Sequence, residues 1–279
     1  MRKRRGATPE NVDAWIRRGD GQGEGVNFRP FFHVRDVPSR GRSHMVVGLR
    51  TGRTHHYMSD IEYSYHLLAE YSPEVLDIRE QFALLPREDT QEIATDLRIR
   101  HPVYPGTKTP IVMTSDLVLT ISTPSGHEFS VLSVKPASQL ADKDRRSQRV
   151  FEKLLIERTY WEARDIRWTL CTDSMLPKTR VRNLDLLRPA MVGKEFDWLN
   201  PRLPEFVSLF AHLWSQQRSL NDLLAATSWR LGITVNESFT LFGRSVWLRL
   251  LPINLDAAVI SHGFPVHLEN TCLEAALKC

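Results

Sequence analysis

The feature that most constrains this chain is a pair of β-rich runs joined by a tight turn. Residues 110–122 (PIVMTSDLVLTIS) and 128–134 (EFSVLSV) are dominated by apolar and β-branched side chains, and Thr123-Pro124-Ser125-Gly126 between them is a turn sequence. Together they predict an antiparallel hairpin. Each run holds one charge where a charge needs a partner: Asp116 interrupts IVMTSDLVLTI, and Lys135 ends FSVLSVKPA. Pairing of the two strands brings them near one another.

The flanking segments predict what packs on that hairpin. Ser59-Asp60-Ile61-Glu62 reads as a capping box opening a helix with Ile61, Tyr65, Leu67 and Leu68 at helical spacing, ending near Ser72-Pro73. Residues 74–85 (EVLDIREQFALL) read as strand and turn, 86–109 as loop or short helix, 142–164 as a long charged helix and 166–172 as a strand. This is a mixed α/β domain. After residue 173 the periodicity is mostly helical, with helices expected over 204–216, 219–231 and 235–250 and a small hairpin over 257–268, which suits a winged helix. The expected boundaries are 1–172 and 173–279.

The 279 residues carry a formal net charge of +4, unevenly distributed. Residues 1–53 hold 12 Lys and Arg against 5 Asp and Glu, whereas 54–172 hold 14 against 18 and 173–279 hold 11 against 10. A basic arm before an acidic segment suggests a polyanionic partner and a cation site. Within the arm, residues 11–18 suit a short basic helix, the alternating glycines of Gly19-Asp20-Gly21-Gln22-Gly23-Glu24-Gly25 suit a flexible connector, and the aromatic and basic residues of 28–42 suit nucleic-acid backbone contact or a tail packed on the main body. Three cysteines without paired spacing support neither a disulfide framework nor a closed zinc knuckle, and fit a reducing cytoplasm. No apolar run approaches the roughly 20 residues of a membrane span, and no secretion signal is evident.

An Asp on one strand and a Lys ending its neighbour suit a metal-dependent nuclease, the carboxylate holding Mg²⁺ and the Lys facing the developing phosphate charge. A structural ion pair satisfies the same pattern equally. Gln81 is either near the phosphate or a core-edge amide. His55 and His56 could touch phosphate or a second metal, only one of them facing the site on an extended segment. His262, His267, Cys272 and Cys279 match no familiar zinc-ligand spacing.

A longer series narrows these options. GDGQGEG, Gly41-Arg42-Ser43, Thr51-Gly52-Arg53-Thr54-His55-His56, Ser59-Asp60-Ile61-Glu62, Asp77-Ile78-Arg79-Glu80-Gln81-Phe82-Ala83-Leu84-Leu85, Arg87-Glu88-Asp89-Thr90, Ser115-Asp116 and Val134-Lys135-Pro136-Ala137-Ser138 follow one another as in the TnsA family, endonuclease subunits of heteromeric bacterial transposases. The chain resembles that family densely over residues 10–172. The resemblance implies a restriction-endonuclease-like domain followed by a winged-helix-like domain, and Mg²⁺-dependent cutting at the 5′ ends of a transposon, with Mn²⁺ as a substitute. It also implies transposon-end DNA, an integrase-type (TnsB-like) transposase and an ATPase regulator (TnsC-like) as partners, in a bacterial cytoplasm. By residue, it places the catalytic Glu at Glu62, the metal-binding Asp at Asp116 and the Lys at Lys135, with the Val134 carbonyl as a further metal ligand. Where a well-known member of that family has Gln and related nucleases have Glu, this chain has Ser133, a weaker and doubtful ligand. Glu62 alone also reads as the third residue of a capping box. The competing readings are a non-catalytic DNA-binding or assembly factor, and an RNA-cleaving or repair nuclease of the same fold.

Overall fold

The computed structural model describes residues 7–36, 41–141, 144–192 and 194–269. The chain divides into two compact units, Met1–Leu176 and Pro177–Cys279. The first is built on a four-stranded sheet of order β3-β4-β5-β6, with β3 at Val75–Ala83, β4 at Thr114–Thr123, β5 at Gly126–Val134 and β6 at Arg167–Cys171. β3, β4 and β5 run antiparallel in turn, and β6 lies parallel to β5. A two-stranded ribbon, β1 (His44–Val47) with β2 (Thr54–Tyr57), precedes it.

Both sheet faces are covered, which is why 110–122 reads as nearly continuous apolar sequence rather than a clean alternation. On one side Leu117 and Leu119 pack with Tyr65 and Ala69 of α2 (Asp60–Tyr71). On the other, Val118 and Val131 pack with Ala94 of α3 (Arg87–Asp96) and with Ile156, Tyr160 and Trp161 of α5 (Arg145–Glu162). A single turn, α4 (Ser138–Ala141), follows β5. α5 opens at Asp144, whose carboxylate accepts the Ser147 N–H at 2.7 Å.

In the segment before β1 the short helix forms and the packed alternative holds, whereas the flexible connector does not. α1 (Pro9–Arg17) buries Val12 against Phe31, Ala83 and Val112, so the arm is part of the core. The glycine series after it is a fitted turn rather than a flexible connector. Gly21 has φ +76°, and a Cβ there would stand 2.3 Å from the Ala83 Cβ. Its N–H donates to the Arg29 carbonyl at 2.6 Å, and its carbonyl accepts from the Ala83 N–H at 3.4 Å. Phe28 and Phe31 are buried rather than offered to nucleic acid, and Phe28 stacks on Phe82 with ring centres 6.0 Å apart.

The second unit holds α6 (Lys178–Leu187), α7 (Leu203–Leu213), α8 (Leu220–Leu231) and α9 (Val235–Trp247) around a core that includes Leu184, Leu187, Phe206, Phe210, Leu224 and Phe242. α8 stops at Gly232 in the left-handed conformation, and α9 starts with a Thr234–Glu237 capping box. The hairpin expected over 257–268 is not formed: the described residues after α9 make one isolated bridge, Ile253 with Leu268. Pro265 has no N–H for a ladder, and neighbouring carbonyls are used elsewhere. Those of His262 and Phe264 accept the first N–H groups of α8, and Asn183 Nδ2 donates to Leu255 and Ala258.

Candidate active site

Pairing of Leu117 with Leu132 and of Val118 with Val131 brings the ends of β4 and β5 together. Asp116 Oδ2 accepts from the Val134 N–H at 2.6 Å and from Lys135 Nζ at 2.7 Å. Lys135 Nζ also donates to the Val134 carbonyl at 2.8 Å, and the Lys135 N–H is pinned to the Cys171 carbonyl of β6 at 2.9 Å. The lysine is thus held by its backbone and its head group alike. Burial pulls its pKa down, but Asp116, Glu157 and Glu62 together hold it above the usual lysine range.

A break in strand alternation sets this geometry. In a regular strand, residues two apart share a face. Glu80, however, turns to Arg53 and His55 of the ribbon, while Phe82 packs 5.7 Å from Trp161 of α5. The same switch occurs in β4, where Leu117 faces α2 and the Ser115 hydroxyl bonds to α5. Registration of Glu80 with Leu117 and of Phe82 with Ser115 places the two switches side by side, at Gln81 and Asp116. Gln81 makes its turn at φ +49°, a left-handed conformation uncommon for a residue with a side chain.

Glu62 enters from the first turn of α2. Its Oε1 accepts from Ser59 Oγ at 2.9 Å, and its Oε2 accepts from the Met58 N–H at 2.9 Å and from Gln81 Nε2 at 3.4 Å. The Ser59 hydroxyl in turn accepts the Glu62 N–H at 3.2 Å, so the capping and site roles coexist in one residue. Burial and then the nearby negative charge of Asp116 push its carboxyl up to about 7 against the hydrogen bonds from Met58 and Ser59. Glu62, Asp116 and the Val134 carbonyl are hard oxygen donors of the kind that could hold Mg²⁺. Among the described residues no three His, Cys, Asp or Glu side chains are clustered closely enough to hold a metal ion by themselves.

Other sequence candidates fall elsewhere. Ser133 is fully buried, and its hydroxyl donates to Glu157 Oε2 at 2.9 Å. His55 and His56 are both buried: His55 Nδ1 lies 2.8 Å from Glu80 Oε2, and His56 Nδ1 accepts the Val34 N–H at 3.4 Å. Neither is free for phosphate. Burial acts upward on Glu80, yet hydrogen bonds from His55 and Arg53 bring it down to about 2. His262 lies with its ring 5.0 Å from that of Phe239, and Cys272 and Cys279 lie outside the described residues. The residue that sequence reasoning missed is Glu157. Its signal was an acid on the apolar face of α5, three residues after Leu154 and four before Trp161.

Fold and site together define a nuclease-type α/β domain, and residues 72–173, which contain Asp116 and Lys135, match the family model described as TnsA-like endonuclease N terminal. Within these residues the chain is thus similar to TnsA-like endonuclease domains. Over 172 residues it is 41% identical to the Transposon Tn7 transposition protein TnsA of Escherichia coli, a stretch that is 62% of this chain and 60% of that protein. The chain therefore matches about 60% of the length of that relative.

Proposed function

We propose that this chain is the DNA-cleaving subunit of a heteromeric transposase, an Mg²⁺-dependent endonuclease that cuts the 5′ ends of its transposon, with Mn²⁺ able to substitute. The observation that carries the reading is the Asp116–Lys135 contact of 2.7 Å, faced by Glu62 at the strand break of a TnsA-like domain. Glu62, Asp116 and the Val134 carbonyl would hold the cation, which would supply Lewis acidity at the scissile phosphate. Lys135, its backbone anchored, offers Nζ to the non-bridging oxygen on which charge builds as water adds and the 3′-oxygen leaves. Asp116 and the Val134 carbonyl keep that ammonium in place before substrate arrives.

The reading extends to the second unit as a winged-helix-like module. α8 and α9 around Gly232 support it, and the loop of residues 251–269 follows α9 in the chain where a wing follows in such modules. The partners are transposon-end DNA, an integrase-type (TnsB-like) transposase and an ATPase regulator (TnsC-like). They supply the positioning that basic residues alone do not, since phosphate contacts carry little sequence information. Glu62→Ala, Asp116→Ala and Lys135→Ala are each expected to abolish 5′-end cleavage in the reconstituted system while leaving circular dichroism unchanged. Normal cutting by Asp116→Ala in Mg²⁺ refutes the assignment.

A further inference from the structure

Lys153 has no part in the chemistry so far, yet it stands in the wall of the site. It lines a cavity of about 310 Å³ together with Asp116, Lys135 and Glu157. On α5 it shares a face with Arg149, one turn before it, and Glu157, one turn after. The neighbouring cations are already committed, Lys135 to Asp116 at 2.7 Å and Arg149 to Glu152 at 2.6 Å. So are the acids of the cavity: Asp116 is taken by Lys135, and Glu157 accepts from the hydroxyls of Ser115 and Ser133 at 2.7 and 2.9 Å. Among the described residues Lys153 has neither a hydrogen bond nor an ion pair.

That placement is unfavourable for the protein alone. The residue as a whole is exposed, but partial burial of its ammonium, and then the positive charges of Arg149 and Lys135, lower its pKa. Like charges one turn apart on a helix destabilise it, and a neutral polar side chain would stand here without that cost. Positive charge gathered in a cavity without an internal counter-charge is relieved by an anion from outside. In a nuclease site that anion is the DNA strand, which carries one phosphate for about every 3.4 Å of its length. At 1.5 Å per residue, Lys153 lies about 6 Å along α5 from Glu157, which is one to two nucleotides on this scale.

We propose that Lys153 binds a DNA phosphate neighbouring the scissile one and so holds the strand in the cavity while Asp116 and Lys135 act on the bond that breaks. The inference rests on the nuclease reading and names a substrate contact which that reading does not use. Lys135 is not available for this second task, because its Nζ is held by Asp116 and the Val134 carbonyl. Lys153 is a point charge on a flexible stem, and its contact serves position rather than sequence.

The test separates binding from cutting. Binding of the full chain to a duplex transposon end is followed by fluorescence anisotropy in chelator over a salt series, for wild type, Lys153→Gln and Lys153→Arg, with melting curves to verify folding. Lys153→Gln is expected to bind about fivefold to tenfold more weakly at low salt, with a log–log salt slope smaller by about 0.9, the share of one phosphate contact. Lys153→Arg is expected to keep the wild-type slope. In the reconstituted system, ends carrying a neutral methylphosphonate at each phosphate within two nucleotides of the scissile one are then cut by wild type and by Lys153→Gln. At one of these positions neutralisation is expected to slow the wild type and to leave Lys153→Gln no slower than on unmodified ends. An unchanged salt slope in folded Lys153→Gln, or equal losses for both proteins at every position, overturns the inference and leaves the nuclease reading standing. If Lys153→Gln does not fold, Lys153→Met, which keeps the stem, takes its place. A wild type that does not cut, or Asp116→Ala that cuts normally in Mg²⁺, removes the nuclease reading and this inference with it.

Discussion

Replacing Glu157 by Gln in the absence of divalent cation should stabilise the protein, and only above acidic pH. The carboxyl sits at about 7 in the folded chain against an ordinary 4.5. Its proton is therefore held more tightly in the native state than in the unfolded one. The associated stability is present in full below about pH 4.5 and is lost as pH rises through about 7. At roughly 1.4 kcal/mol per unit, a shift of this size withdraws on the order of 3 kcal/mol. Glutamine keeps the shape, accepts from Ser115 through its carbonyl and donates to Ser133 through its amide. The Ser133 hydroxyl hydrogen then needs a new acceptor, which costs about 1 kcal/mol. A net gain of about 2 kcal/mol at pH 8.5 remains, shrinking to a small loss at pH 4.5. Urea unfolding of both proteins in chelator at several pH values reads this directly, with equal slopes as the check that only stability has changed. A variant no more stable than wild type at pH 8.5, or a difference that does not change with pH, would refute the reasoning.

Glu80→Gln leaves the Arg53 guanidinium buried without its carboxylate, and a loss of about 3–5 kcal/mol is expected in urea unfolding at pH 7. Because Glu80 is held down at about 2, its contribution to the wild type is present above about pH 4.5 and disappears as pH falls towards 2, which acid titration of stability in the two proteins should show. Gly21→Ala forces a Cβ against Ala83 and a side chain into a left-handed φ; a loss of about 2–3 kcal/mol is expected, and an unchanged midpoint would mean that this turn is not seated on β3. Removing residues 1–6, which carry four Lys or Arg, should weaken DNA binding and flatten its salt dependence in fluorescence anisotropy, whereas removing 1–18 also extracts Val12 from the core and should lower the melting temperature.

The parts of the site that were legible in the sequence depend on local patterns. Asp116 and Lys135 stood out as charges in β-rich runs, and Glu62 as the acid of a cap; β3 to β6, α2 and α5 followed from turn signals and apolar spacing. The rest depends on tertiary contact. Gln81 adopts a glycine-like conformation without being glycine, so nothing in DIREQFALL marks the strand switch. The glycines of GDGQGEG looked like freedom, but Gly21 is there because Ala83 leaves no room for a side chain. His55 resembled a phosphate ligand until Glu80, 25 residues further on, proved to bind it together with Arg53. α6 was missed because its short, basic sequence lacks a strong cap, with Pro177 preceding it.

The contact between the arm and β3 has a practical side. β3 is the outer strand of its sheet, and its free backbone edge would be a template for another chain. Along 81–83 that edge is occupied from within: Phe31 N–H donates to the Gln81 carbonyl at 3.1 Å, and the Ala83 N–H donates to Gly21. Trimming the protein to its recognisable nuclease segment strips away both guards. A fragment beginning near residue 72 would therefore be sticky along 81–83, and it would also lack α2 and with it Glu62. Soluble expression trials should keep everything from α1 onward, with purification tags placed ahead of it rather than in its stead.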